Sequence, residues 1–111
     1  MINQLVLAGN LGGNPEQFFT PEGTQICTFS MAFRSTKKDK TCWIKVTAFN
    51  KLAEIIEKYL HKGDRVTVLG ILDQEKWDSD DGTTKTAFKI IANSVEFHNP
   101  KPSEDGEEPP F

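Results

Sequence analysis

Cysteine is scarce in this chain of 111 residues. The two that occur, Cys27 and Cys42, are too far apart for a CxxC redox or zinc motif, and each falls within an apolar strand pattern. Both therefore read as small core residues, and no disulfide is needed. Long apolar runs are missing too: none approaches the roughly 18 to 20 residues of a membrane span. The N-terminus has no basic-then-apolar leader. The expectation is a cytoplasmic protein with no membrane partner. Walker loops and dinucleotide fingerprints are also absent, and His61 and His98 have no Ser, Cys or acid at catalytic spacing. In Asp78-Ser79-Asp80-Asp81-Gly82 the glycine stands at loop position five and Lys89 at position twelve, where a calcium loop needs Gly at six and Glu at twelve. No enzymatic activity, metal or cofactor is expected.

Positive charge is not in excess, since the net charge is −3. Its distribution changes what that means. Residues 1–98 carry 12 Lys+Arg and 12 Asp+Glu, whereas 99–111 carry Lys101 against Glu104, Asp105, Glu107 and Glu108. The body is neutral and the tail holds the deficit, so a local basic stripe can still meet a polyanion. Pro100, Pro102, Pro109 and Pro110 among these acids predict a disordered tail over 99–111, and hence one folded domain over 1–98.

What the body does contain is alternation. Residues 4–11 are β-rich and end at Gly12-Gly13-Asn14-Pro15; Ile26 to Phe33 place Cys27, Phe29, Met31 and Phe33 on one face. A third strand begins at Thr41. There Cys42, Ile44, Val46 and Ala48 share an apolar face, while Trp43, Lys45, Thr47 and Phe49 share the other. The period then changes: Leu52, Ile55, Ile56, Tyr59 and Leu60 follow helical spacing, and Lys62-Gly63 supplies a basic end and a glycine stop. Arg65 to Leu72 and Lys85 to Phe97 return to strand. Three strands, one helix and two strands describe an all-β protein, a five-stranded Greek-key OB-fold barrel with its helix between strands 3 and 4. An SH3-like barrel does not normally spend ten residues on a helix at that point.

The face carrying Trp43, Lys45 and Phe49 holds two large aromatics and a cation where a solvated sheet carries polar groups. Exposed rings stack bases and cations neutralise phosphates, the combination used by sequence-tolerant binders of single strands. The same rings can instead pack against a helix, a second sheet or a partner subunit. Candidate phosphate contacts are Lys45, Arg34, Lys37, Lys38, Lys62, Lys76, Lys85 and Lys89, with Lys45 foremost because it lies between two aromatics.

Several motifs in order also resemble a known family. Val6-Leu7-Ala8-Gly9-Asn10-Leu11-Gly12 with Pro15-Glu16, Trp43 to Phe49, Lys51-Leu52-Ala53-Glu54, Tyr59-Leu60-His61-Lys62-Gly63 and Lys76-Trp77 together resemble the bacterial-type single-stranded DNA-binding proteins, SSB, over about residues 2–98. The resemblance implies a homotetramer of OB-folds that wraps single-stranded DNA in replication, recombination and repair, with stacking aromatics at Trp43, Phe49, Trp77 and Phe19. It also implies that the tip Glu107-Glu108-Pro109-Pro110-Phe111 recruits replication and repair proteins. The chain departs from the family pattern in three places. Lys37 stands at a usual aromatic, Asp73-Gln74-Glu75 replace basic residues, and the linker to the tip is nearly absent, as in phage, plasmid or mobile-element versions. The acids predict weaker binding or a shorter site. The alternative is a non-catalytic OB-fold adaptor of primosome type, whose aromatics form protein interfaces.

Overall fold

The computed structural model describes residues 1–37 and 39–98. Its elements are β1 (Leu5–Leu11), β2 (Glu16–Phe19), β3 (Gln25–Arg34), β4 (Thr41–Phe49), α1 (Asn50–Tyr59), β5 (Arg65–Asp78) and β6 (Thr84–Phe97). They form one sheet in the order β1-β5-β6-β4-β3-β2, which β1 closes by pairing with β3 at Asn10↔Ala32 and Leu11↔Met31. All pairings are antiparallel except β4 with β6. The architecture is the OB-fold. The short β2, which among the described residues pairs with β3 alone, adds a strand that the alternation did not reveal. Four residues are too few for a periodic signal. Without β2 the helix falls between the third and fourth barrel strands.

Inward alternation builds the core. Leu11, Cys27, Phe29, Met31, Val46, Ala48, Val66, Val68 and Ile90 are buried, and α1 adds Ala53 and Ile56, with Leu60 just beyond it. Phe33 and Cys42, near one end of the β3–β4 pair, are only half-buried because the barrel opens there. The helix ends at Leu60, whose amide donates to the Ile56 carbonyl, and Gly63 turns the chain with φ +90°. Gly63 then donates to the Leu11 carbonyl and ties the helix exit to the end of β1.

A bulge at Leu69/Gly70 lets β5 and β6 fold over the barrel. A Cβ on Gly70 would stand 2.1 Å from the Ile91 carbonyl oxygen, so only glycine allows that approach. Beyond Leu72 and Lys89 the two strands, among the described residues, pair only with each other, as an arm. Strand β5 is thus longer than the apolar run Arg65 to Leu72 suggests, because cross-strand hydrogen bonds continue after burial stops. The arm closes at Gly82 (φ +86°), where Asp81 Oδ1 accepts bonds from the Thr83 amide at 3.1 Å and hydroxyl at 2.7 Å. Hydrogen bonds from Thr83 hold that carboxyl below the usual range, so Asp81 serves the turn, and Asp78 Oδ1 accepts from the Thr84 hydroxyl at the base of the arm.

Candidate nucleic-acid interface

Register sorts the aromatics. Paired residues in a sheet point to the same side, so Ala32↔Trp43, Ser30↔Lys45, Thr28↔Thr47 and Ile26↔Phe49 put Trp43, Lys45 and Phe49 together on the outward face of the β3–β4 pair. The same face continues through Lys45↔Lys89 onto β6 and through Asp73↔Lys89 and Trp77↔Lys85 onto the arm. Trp43 is 61% exposed, Trp77 46% and Phe49 37%. None of the three is sealed in the barrel.

Trp43 owes its position to a glycine. A Cβ on Gly12 would lie 2.3 Å from Cζ3 of the indole, so the ring rests against bare backbone at the turn after β1. Beside it runs an open groove of about 470 Å³ between that turn, Thr28 and Ser30 of β3, and Trp43 and Lys45 of β4. Asn14, which also lines the groove, accepts a hydrogen bond at its Oδ1 from the Lys62 amide and so ties the exposed Lys62 to this turn. Thr47, expected on the solvated side, is instead only 4% exposed and its hydroxyl has no partner.

Charge is distributed differently from a simple basic stripe. Lys45, Lys85 and Lys89 share the outward face with Trp43 and Trp77, whereas Lys76, opposite Thr86, points to the other side of the arm. Arg34, paired with Thr41, extends the face toward the barrel opening, where it lines a second groove of about 600 Å³ with Arg65 and Phe33. Lys37 is exposed in the loop after β3, its amide bonded to Ser35 Oγ. Glu75 lies between two of the candidate cations: its Oε1 is 2.8 Å from Lys89 Nζ and 3.7 Å from Lys45 Nζ. The Lys89 hydrogen bond and then the Lys45 charge hold the Glu75 carboxyl below the usual carboxylate range.

The chain that presents these rings on an OB barrel can be placed among known proteins. The model of the single-strand binding protein family matches residues 2–98. The chain belongs to that family. It is 36% identical over 103 residues to the single-stranded DNA-binding protein of Neisseria meningitidis serogroup A, covering 86% of this chain and 59% of that protein. The corresponding protein of Xanthomonas campestris is 38% identical over 103 residues, with coverage of 86% and 60%. The chain thus spans about three-fifths of the length of the curated relatives it matches. Among solved structures, the Plasmodium falciparum SSB complex with ssDNA superposes with a TM-score of 0.81 at 29% identity, covering 89% of this chain and 96% of that one.

The short strand β2 adds a ring that reading along the sequence missed. Phe18↔Ile26 continues the row to Phe49, so Phe18 shares the outward face, whereas Phe19, opposite Gln25, lies on the other side of the hairpin. Phe18 is 50% and Phe19 69% exposed. Adjacent phenylalanines are equivalent until a register is known. Gly12 carries no such signal in the sequence, and the alternation that marks Glu75 as an acid beside the stacking face does not show that it meets Lys45 and Lys89, since only cross-strand neighbours reveal what each touches. Lys38 and the tip Glu107, Glu108, Pro109, Pro110 and Phe111 lie outside the described residues.

Proposed function

We propose that this chain binds single-stranded DNA without sequence specificity, by stacking bases on Trp43, Phe49 and Trp77, with Phe18 or Phe19 extending the track. Lys45, Lys85, Lys89 and Arg34 meet phosphates along the same face, and Lys62 and Lys37 meet them at its edges. The observation that carries the reading is the exposed indole of Trp43 beside Lys45 on the outward barrel face, over an open groove. Membership of the single-strand binding protein family supports it, as does the likeness to a solved complex with ssDNA. An OB-fold face with aromatics of this kind needs no catalytic group: the act is binding, and it protects strands during replication, recombination and repair. In this reading the protein acts in the cytoplasm as a homotetramer, and the acidic tip ending in Pro110-Phe111 recruits partner proteins. No helix among the described residues is long and apolar enough to cross a membrane.

Titration of labelled oligo-dT tests the reading. Trp43→Ala and Phe49→Ala should each remove about 1 to 3 kcal/mol of binding while leaving the fold intact. Affinity should fall with salt by a log-log slope of about −0.7 per phosphate contacted. Parental binding by both variants, with a flat salt profile, would overturn the proposal. Tryptophan emission that responds to protein dilution and not to oligo-dT would favour the adaptor alternative, in which the rings form subunit contacts.

A further inference from the structure

Three strands deliver three charges to one point. Lys45 on β4 and Lys89 on β6 are register neighbours, so two ammonium groups are held side by side on the outward face. Like charges at such spacing repel unless an anion lies near both. Glu75 supplies that anion from β5, with a single carboxylate oxygen 2.8 Å from one nitrogen and 3.7 Å from the other. These two lysines, with side chains 50% and 19% exposed, therefore already share an anion in the free protein.

We propose that Glu75 is an internal competitor for nucleic-acid phosphate, occupying the Lys45–Lys89 anion site until an incoming strand displaces it. This rests on the reading that the face binds single-stranded DNA. A carboxylate and a phosphodiester each carry one negative charge, so exchanging one for the other at two lysines gains little Coulomb energy. The Glu75 side chain is 35% exposed and sits where β5 and β6 leave the barrel as an arm. The part of the side chain that is exposed, on a stretch of β5 that among the described residues pairs with β6 alone, gives it a path to swing toward solvent. The consequence is an affinity limit: with its lysines neutralised in advance, the face relies on stacking to retain a strand. Bare polyanions, which offer no bases, gain little from the site.

The test compares the parent with Glu75→Gln in titrations of labelled oligo-dT from low to moderate salt. The neutral amide keeps the shape of the side chain and removes the competing charge. Binding should tighten about three- to tenfold at low salt, the scale of one exposed ionic interaction between charges a few ångströms apart. The salt slope should steepen by about 0.7, the release expected for one more effectively neutralised phosphate. In a Lys45→Met/Lys89→Met background the same Glu75→Gln change should have no effect, which separates competition at these lysines from general loss of negative charge. If Glu75 instead holds the lysines in a productive pose, Glu75→Gln will bind equally or more weakly with an unchanged or shallower slope, and the inference is overturned. A gain that persists without the two lysines overturns it as well. Failure of the parent to bind oligo-dT refutes the underlying reading and the inference with it, whereas normal parental binding with no gain in Glu75→Gln refutes the inference alone.

Discussion

Gly12→Ala changes one methyl group outside the proposed stacking surface, yet should weaken binding through Trp43. The new Cβ would lie 2.3 Å from Cζ3, 3.1 Å from Cη2 and 3.3 Å from Cε3 of the indole. Ordinary carbon contacts begin near about 3.5 Å, so the ring must retreat by roughly 1.2 Å at its nearest atom. The three nearest atoms it would meet all belong to that ring, Gly12 has no left-handed φ, and the indole, 61% exposed, can swing outward with little loss of packing. The cost should therefore appear in binding and not in stability. Losing one stacking platform entirely is worth about 1 to 3 kcal/mol, or roughly 5- to 150-fold in affinity. A displaced ring should fall in the lower part of that range, about five- to thirtyfold. Fluorescence anisotropy with labelled oligo-dT measures the change, and thermal denaturation checks that the fold is intact. Trp43→Ala sets the ceiling, and Gly12→Ala should add nothing in its background. Parental affinity in Gly12→Ala, or an equal further loss on top of Trp43→Ala, would refute the idea that the glycine acts by seating the indole.

Phe18→Ala should weaken oligo-dT binding more than Phe19→Ala, within the roughly 1 to 3 kcal/mol of one stacked base, because only Phe18 continues the row to Phe49. The reverse order in the same titration would show that the strand crosses the other side of the β2–β3 hairpin. Burial, and then repulsion from Glu57, push the Cys27 thiol from 9.0 up to about 11. Because the folded chain then holds that proton more tightly than the unfolded chain, stability should be unaffected below about pH 9 and fall as pH rises from there toward 11. Melting temperatures across that window check the sign. Native protein at pH 8 should react with a thiol reagent at half-buried Cys42 and not at Cys27, and equal rates at the two would contradict the burial argument.

The sequence alone determined the elements and their faces wherever the signal is local. A period of two in Trp43 to Phe49 and of nearly four in Leu52 to Leu60 depends only on neighbours along the chain, and the structure keeps Val46, Ala48 and Ile56 inside with Trp43 and Lys45 outside. Five barrel strands and a helix in that order were enough to reach the OB-fold. What tertiary structure decided depends on register between distant segments, which no local period encodes. It put Phe18, and not Phe19, on the face of Phe49 with Ile26 between them, placed the bare backbone of Gly12 against an indole from β4, and brought Glu75 between lysines of two other strands. It also enclosed Thr47 on a face that alternation assigns to solvent, because burial in a curved sheet depends on what adjoining strands place around a side chain as well as on which way it points.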